Sequence, residues 1–173
     1  MIQGLSIRCA EPDDAQLLAW ARRCAWRTTY RGIYPDAWLD EYDLAAHTAR
    51  ERERLQQPNS RTWLLLDGAR CAGYYSFGAP RYGAYKDFAL CLNALYLLPD
   101  YRRRGLGREL FARVRALARE SGQSRFFCGC NLHNLPAQAF YRAMGGVVGR
   151  IDGGHENRAE DQMYFEFDAG DTI

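Results

Sequence analysis

Apolar and polar residues alternate along residues 5–10 of the sequence. Leu5, Ile7 and Cys9 recur at every second position, which is the period of a half-buried β-strand. A helix is predicted over residues 12–29, because a proline and acidic side chains open it and one apolar face then follows. The positions on that face are Leu17, Leu18, Ala21, Cys24, Ala25 and Thr28.

The middle of the first half is less regular. Residues 30–42 are rich in aromatic side chains and are interrupted by glycine and proline, which predicts a loop followed by a short helix. Asp43 is positioned to cap a charged helix that extends to about residue 57. Two apolar runs at residues 62–66 and 70–77 flank an Asp-Gly pair, and this arrangement predicts a β-hairpin.

The second half alternates strands with helices. One helix is predicted from Leu106 to Ser121-Gly122, where glycine is the preferred terminator, and a shorter one follows the potential cap Asn134. The predicted strands cover residues 89–98, 125–131, 147–151 and 162–167. The pattern predicts a mixed α/β fold with about seven strands and four or five helices.

Length and charge limit the classes of protein that fit. A chain of 173 residues with 47% hydrophobic content can bury one core, so we expect residues 1–173 to form a single domain. The 23 basic and 21 acidic residues give a net charge of +2, which argues against a genome-binding or membrane-surface protein. No apolar run approaches the roughly 20 residues that span a bilayer. We expect neither nucleic acid nor a membrane as a partner.

The six cysteines raise the questions of compartment and metal binding. The first residues lack the basic and apolar segments of a secretion signal, so we predict a cytoplasmic protein with reduced thiols. Cys128, Cys130 and His133 could supply part of a metal site, but a closed zinc site needs four ligands. No second pair of ligands appears in the sequence. We therefore predict no metal and expect the cysteines to be buried as small apolar side chains.

The clearest chemical motif follows the strand at residues 89–98. A loop with Gly105 and Gly107 leads from this strand into an amphipathic helix. The first N–H groups of a helix lack intrahelical partners, and the helix dipole favours negative charge there, so this order predicts a phosphate site. A solvated basic loop is the alternative. The arginines that add positive charge are Arg102, Arg103, Arg104 and Arg108.

Two motifs in the second half together resemble the GNAT acyltransferases. R-x-x-G-x-G begins at Arg102, and N-x-x-A-x-x-F-Y-x-x-x-G-G begins at Asn134. The first half is also similar, with W-x-x-x-Y formed by Trp26 and Tyr30 near the end of the first helix. The resemblance covers nearly the whole chain. It implies the GNAT fold, with a mostly antiparallel twisted sheet, and an N-acetyltransferase activity that uses acetyl-CoA as cofactor.

The resemblance also implies roles for individual residues. The backbone of residues 102–107 would bind the pyrophosphate, and the strand edge at Leu95 and Leu97 would bind the pantetheine amides. Asn134 would hydrogen-bond the pantetheine arm, and Tyr141 would protonate the leaving thiolate as a general acid. The predicted cofactor-binding residues are Leu95, Leu97, Arg102, Arg103, Arg104, Gly105, Leu106, Gly107, Arg108, Asn134 and Tyr141.

The acceptor implied by the resemblance is a primary amine of a small molecule or peptide, which attacks the thioester directly in a ternary complex. A homodimer is a further partner that the resemblance leaves open. Each aromatic candidate could instead serve packing alone, and Trp38 is a further candidate of this kind. The predicted acceptor-binding residues are Trp26, Tyr30, Tyr34, Cys91 and Asn93.

The general base is missing from the expected strand. Many GNAT members carry a glutamate where this chain has Cys91, and residues 89–98 contain no carboxylate. Proton removal would then pass through water or through Asp87, His155 or Glu156, or the amine would arrive neutral. The absence keeps open a second hypothesis, a non-catalytic coenzyme A binding or regulatory module. A nucleic-acid binder is disfavoured, because the arginines lie where an anionic cofactor would sit.

Overall fold

The computed structural model describes residues 4–81, 83 and 85–170. Its strands are β1 (Leu5–Cys9), β2 (Ser60–Asp67), β3 (Arg70–Gly78), β4 (Cys91–Leu97), β5 (Arg125–Asn131), β6 (Val147–Asp152) and β7 (Gln162–Asp168). Its α-helices are α1 (Ala15–Thr29), α2 (Asp36–Asp40), α3 (Leu44–Leu55), α4 (Leu106–Glu120) and α5 (Leu135–Ala143). Short 3₁₀ turns lie at Pro12–Asp14, Pro99–Tyr101 and Arg158–Glu160.

The described strands form one seven-stranded sheet in the order β1-β2-β3-β4-β5-β7-β6. Neighbouring strands are antiparallel, apart from β4 and β5, which run parallel. The helices lie between strands along the chain and pack against the sheet. The predicted mixed α/β fold, with a mostly antiparallel sheet of about seven strands flanked by helices, is confirmed.

Local signals account for most of the element boundaries, with one shift at the first helix. The helix expected from Pro12 begins at Ala15, because residues 12–14 form a 3₁₀ turn instead. Asp14 stabilises that turn by accepting the backbone N–H of Glu11 at 2.8 Å. Asp43 caps α3 as its position predicts, since its Oδ1 accepts the N–H of Ala46 at 2.9 Å. Caps of this kind typically stabilise a helix by about 1 kcal/mol.

Helix α4 carries the main core on one face. Its buried apolar side chains are spaced by one, three or four positions, as expected for one side of a helix. They are Leu106, Leu110, Phe111, Val114 and Ala118. Arg115 on the same helix donates to the Met144 carbonyl at 2.6 Å, which ties α4 to the end of α5. The helix stops before Gly122, which adopts a φ of 74° that favours glycine.

The glycine pair that ends α5 packs tightly against the sheet. A Cβ on Gly146 would lie 2.7 Å from the Phe167 ring and 2.8 Å from the Tyr141 carbonyl oxygen. Gly146→Ala is therefore expected to lower the free energy of unfolding by about 1–3 kcal/mol, because the core must shift to admit one methyl group. Urea denaturation monitored by tryptophan fluorescence measures this loss.

Gly129→Ala in β5 is the matched control for that measurement. A Cβ there would meet the Tyr164 ring at 3.5 Å, which is an ordinary van der Waals distance. The control is expected to change the free energy of unfolding by less than about 0.5 kcal/mol, the usual range where no packing feature is disturbed. Equal losses in the two variants would contradict the packing explanation for Gly146.

Candidate active site

The parallel strands β4 and β5 separate part of the way along their length. Backbone pairing ends at Leu92 and Cys128, although β4 continues to Leu97 and β5 continues to Asn131. We call the opening beyond Leu92 the β4–β5 gap. A strand edge without a partner presents N–H and C=O groups, so this side of β4 can pair with an extended polar chain. Leu95 lies on this stretch and is half-buried.

The loop after β4 has the backbone of an anion site. Arg103 and Gly105 adopt left-handed φ values of 60° and 81°, and loops that mix left- and right-handed residues form nests of N–H groups for anions. Because α4 begins at Leu106, the N–H groups of Leu106 and Gly107 have no acceptor earlier in the helix. The Leu106 side chain is buried in the core. Leu106 can therefore contribute only its backbone to a ligand.

The two glycines of this loop serve different purposes. Gly105 needs its left-handed φ of 81°, and a Cβ there would meet nothing within 4 Å. Gly107 lies inside α4, and a Cβ there would approach the Phe140 ring to 3.1 Å. The sequence predicts a cofactor contact for both glycines. In the structure Gly105 shapes the loop, whereas Gly107 also lets α4 and α5 pack closely.

The four arginines of the loop also differ in what they contact. Arg103, Arg104 and Arg108 are exposed, and the Arg104 guanidinium lies 5.6 Å from the centre of the Tyr101 ring. Their charge is available to an anion at the loop.

Arg102 instead turns toward the end of α1. Its Nε donates to the Leu97 carbonyl at 2.8 Å and its Nη2 donates to the Thr28 hydroxyl at 3.0 Å. Burial lowers the pKa of Arg102. Its own backbone N–H donates to the Pro99 carbonyl at 3.1 Å. The side chain thus fixes the start of the loop against α1, and a direct contact between Arg102 and a ligand stays a prediction.

Tyr141 lies on α5 with its ring among core aromatic residues. The ring centres of Phe165 and Phe111 lie 5.7 and 6.4 Å from that of Tyr141. Cys128, whose thiol is among the groups that act on the pKa of Tyr141 after burial, holds the last paired position of β5 before the β4–β5 gap. Burial raises the pKa of Tyr141 well above its ordinary value. The hydroxyl therefore keeps its proton at neutral pH, as a proton donor must.

Asn134 is buried at the start of α5. Its side-chain oxygen accepts the N–H of Ala137 at 3.2 Å and so caps the helix. This bond occupies the oxygen, which leaves the amide Nδ2 as the group that would donate to a cofactor carbonyl. The cofactor role of Asn134 stays a prediction.

A cleft of about 560 Å³ opens between α1, the loop after β3, and the strands around the β4–β5 gap. The five residues predicted to bind the acceptor all line it. Trp38 does not line it, because it lies on α2, where the residue is 53% exposed on the surface. The predicted lining residues are Trp26, Tyr30, Tyr34, Cys91 and Asn93.

A hydrogen-bonded aromatic cluster forms one wall of the cleft. The Tyr96 hydroxyl on β4 lies 3.1 Å from the Tyr30 hydroxyl, and it accepts the indole N–H of Trp26 at 3.2 Å. Tyr30 also stacks on Tyr34 with ring centres 4.2 Å apart. Burial, followed by the Tyr96 phenol, raises the pKa of Tyr30 well above its ordinary value. This wall therefore presents neutral hydroxyls and ring faces.

Cys91 stands at the mouth of the cleft as a neutral thiol. Burial raises the pKa of the Cys91 thiol to about 12, although the nearby Arg81 charge opposes this rise. Asn93 occupies a β-bulge in β4, where its side chain accepts the Arg81 N–H and donates to the Ala79 carbonyl, each at 3.0 Å. Asn93 thus fixes the adjoining loop in addition to lining the cleft.

The other groups considered as general base lie outside the cleft lining. Asp87 is exposed and pairs with Arg125 at 3.3 Å. His155 bonds through Nδ1 to Asp161 at 2.9 Å, which raises the pKa of His155, and Glu156 is exposed. None of the described residues that line the cleft is an aspartate or glutamate. Proton removal through water or a neutral amine fits this arrangement.

The residues weighed as a metal site are engaged elsewhere. His133 Nε2 lies 2.7 Å from the Asp161 carboxylate, whereas Cys128 and Cys130 are buried on β5. Within residues 4–81, 83 and 85–170, no group of three or more His, Cys, Asp or Glu is arranged to hold a metal ion. All six cysteines carry free thiols.

No helix among the described residues combines the length and the apolar character that crossing a membrane requires.

The cleft is also lined by residues that were not predicted to bind the acceptor. Tyr96 could have been found, because it alternates with Leu95 and Leu97 and must face the other side of the sheet. Others come from distant parts of the chain and carry no local signal. The unselected residues with polar or aromatic side chains are Arg22, Arg81, Tyr85, Tyr96, Phe127, Cys130, Asn131, Arg150, Gln162 and Tyr164.

A second depression, of about 760 Å³, runs along α1 on another part of the surface. Trp20, Cys24 and Tyr101 are among the residues that line it, and none of the predicted site residues does so. The residues predicted to bind the acceptor therefore line the smaller cleft at the β4–β5 gap and not this depression.

Known structures share this architecture. PaiA N-acetyltransferase from Thermoplasma acidophilum, solved in complex with coenzyme A, is 19% identical with a TM-score of 0.73, and the match covers 95% of this chain and 98% of that one. YncA from Salmonella typhimurium, solved with its cofactor acetyl-CoA, is 20% identical with a TM-score of 0.69, covering 98% of this chain and 96% of that one. At these identities the likeness shows the fold.

Sequence comparison defines the family. An uncharacterized N-acetyltransferase of Mycobacterium tuberculosis (strain ATCC 25618 / H37Rv) is 29% identical over 150 residues, which span 84% of this chain and 93% of the relative. Residues 19–146 match the acetyltransferase (GNAT) family. This match includes most of α1, the loop at Gly105, Asn134 and Tyr141. The chain therefore belongs to the GNAT family of acetyltransferases.

Proposed function

We propose that this protein transfers an acetyl group from acetyl-CoA to a primary amine of a small molecule or peptide. One observation carries the proposal: residues from both strands of the β4–β5 gap line the aromatic cleft, and β4 leads through Pro99–Tyr101 into the loop that opens α4. Tyr96 and Cys130 line the cleft, and after burial the pKa of Tyr141 is raised by the Cys128 and Cys130 thiols and the Tyr96 phenol. These neighbours support the proposal that Tyr141 is the proton donor shared by the anion-binding loop and the acceptor cleft.

The described residues fit acetyl-CoA on chemical grounds. The loop at Gly105 offers backbone N–H groups and exposed arginines to a pyrophosphate, and the free edge of β4 offers amide partners to an extended arm. The complexes of the Thermoplasma and Salmonella proteins with coenzyme A and acetyl-CoA support the same cofactor here. When bound, acetyl-CoA supplies the acetyl group as a thioester.

Each residue then has a defined task in direct transfer within a ternary complex. The cleft wall of Trp26, Tyr30 and Tyr34 holds the amine acceptor and excludes water. The amine nitrogen forms the new C–N bond, the C–S bond breaks, and Tyr141 gives its hydroxyl proton to the departing thiolate. The proton that the nitrogen loses after attack leaves to water, and water returns a proton to Tyr141. The products are an N-acetylated amine and coenzyme A as a free thiol.

A non-catalytic coenzyme A binding module is the second candidate. The observation that favours it is the cleft lining, in which none of the described residues carries a carboxylate. Release of free thiol from acetyl-CoA across a panel of amines separates the two candidates. Amine-dependent release supports the transferase. Binding of acetyl-CoA by calorimetry, without release for any amine, supports the module.

The pH dependence of turnover tests how the amine loses its proton. Because neither His155 nor Glu156 lines the cleft, we expect His155→Ala and Glu156→Gln to leave the pH–rate profile unchanged. The rising limb should instead follow the pKa of the acceptor amine, so two acceptors with different amine pKa values should give displaced limbs in the wild-type protein. If either substitution shifts the rising limb, or if the limb has the same apparent pKa with both acceptors, a base on the protein removes the proton instead.

A further inference from the structure

Arg81 is a positively charged side chain held rigidly at the wall of the cleft. Its Nη2 donates to the Ser76 hydroxyl at 2.5 Å and to the Thr62 hydroxyl at 3.3 Å, and both of these partners are buried. Its backbone N–H is bonded to Asn93, as described above. A guanidinium fixed in this way loses little side-chain freedom when a ligand binds.

The charged side chains among the described residues that line the cleft are all arginines. Arg22, Arg81 and Arg150 line it. Arg22 pairs with Glu51 and Arg150 pairs with Asp152, each at 2.6 Å, and both acids lie outside the lining. Since none of the described lining residues is acidic, an acceptor with a second ammonium group would be repelled. An acceptor with an anionic group would be attracted.

The charge of Arg81 also reaches the β4–β5 gap. It opposes the burial that raises the pKa of the Cys91 thiol, and Cys91 is the first residue of β4. A cation at this position disfavours an ammonium group and so favours the neutral amine. The same charge would therefore attract a carboxylate and help to keep the amine of that molecule nucleophilic.

We infer that the acceptor carries a carboxylate beside its primary amine, that Arg81 binds this carboxylate, and that the acceptor is an amino acid with an apolar or aromatic side chain. This inference rests on the proposed function. A cleft of about 560 Å³ is in the range of small-molecule sites. Tyr85 and Tyr164, whose ring centres lie 4.9 Å apart, also line the cleft, so aromatic side chains of α1 and β7 both contribute to its lining. A peptide N-terminus would lack the adjacent carboxylate.

Thiol release with acceptors that differ in one group tests the inference. L-Phenylalanine, L-phenylalaninamide and 2-phenylethylamine share a ring and a primary amine, and only the first carries a carboxylate. Charge-assisted hydrogen bonds predict a kcat/KM for phenylalanine that is on the order of tenfold to a hundredfold higher than for the other two. Leucine, leucinamide and 3-methylbutylamine form a second set, and spermidine should be a poor acceptor.

Substitutions test whether Arg81 causes the preference for acceptors with a carboxylate. Arg81→Gln should raise KM for phenylalanine and abolish the preference, whereas Arg81→Lys should retain part of it. Arg125→Gln is the matched control, because Arg125 pairs with Asp87 beside the same loop and lies outside the cleft lining. It should leave the preference intact. Thermal unfolding and acetyl-CoA affinity show whether each variant is folded. A preference that persists in folded Arg81→Gln would overturn the assignment.

The outcomes separate this inference from the proposed function. Thiol release that is equal or faster with the amines lacking a carboxylate would overturn the inference and leave the transferase intact. If no amine releases thiol, the proposed function fails, and product binding still decides the inference. Calorimetry with coenzyme A present should then show tighter binding of N-acetyl-L-phenylalanine than of N-acetyl-2-phenylethylamine. Equal binding, or none, would overturn it.

Discussion

Tyr141→Phe is expected to lower kcat by a factor on the order of 10² or more, because a positioned general acid typically contributes that much. The substitution removes only the hydroxyl, and the ring keeps its contacts with Phe111 and Phe165. Affinity for acetyl-CoA should therefore change little, and the unfolding midpoint should stay close to that of the wild type. Steady-state kinetics with a turned-over amine, together with calorimetry for acetyl-CoA, measures both quantities.

Two further Tyr→Phe substitutions make that result specific. Tyr75 is buried and stacks on Trp63 with ring centres 4.9 Å apart, but it does not line the cleft, so Tyr75→Phe should retain turnover. Tyr96 is the rival proton donor, because its hydroxyl lies in the cleft wall beside Tyr30. Full activity in Tyr141→Phe together with loss in Tyr96→Phe would transfer the general-acid role to Tyr96.

Gly105→Asp is expected to reduce acetyl-CoA affinity by a factor on the order of 10² or more, since like charges brought together in a binding site cost several kcal/mol. The new carboxylate would stand at the N-cap of α4, where the helix dipole attracts an anion. It would occupy the position that the pyrophosphate needs. Calorimetric titration with coenzyme A measures the loss.

Gly105→Asn separates this charge effect from backbone strain. Asparagine has the same shape as aspartate and tolerates the left-handed φ of 81° at this position. A Cβ at Gly105 meets nothing within 4 Å, so neither variant creates a clash. The asparagine variant should retain most of the affinity. If both variants lose it equally, conformation rather than charge is responsible, and if neither loses it, the loop does not bind the cofactor.

Much of the fold was predictable because its signals are local. The strand predicted at residues 125–131 is β5, and the helix predicted from Leu106 is α4, because a two-residue or 3.6-residue period reports which side chains face the core. The start of α1 was misplaced by three residues. There Pro12 and the acids open a 3₁₀ turn, and turn type depends on bonds such as Glu11 to Asp14 that a period does not report.

The candidate site was only partly predictable, because its residues are distant in the sequence and the sheet brings them together. Cys91 and Asn93 could be selected because they lie on the strand before the loop at Gly105, where many GNAT members carry a glutamate. Arg81 could not, since its place in the cleft depends on a bulge in β4 and on hydroxyls of two other strands. For Arg102 the sequence motif is recognisable, but it does not predict where the side chain points. Its motif indicates an anion, but tertiary contacts turn its side chain toward α1.

The most direct test of the account is an initial-rate study in which acetyl-CoA and an amine acceptor are both varied, with products identified by mass spectrometry. Direct transfer in a ternary complex predicts intersecting double-reciprocal lines and equal amounts of free coenzyme A and N-acetylated amine. Parallel lines with an acetylated enzyme would contradict direct attack. Tight binding of acetyl-CoA with no acetylated product for any amine would contradict the transferase itself.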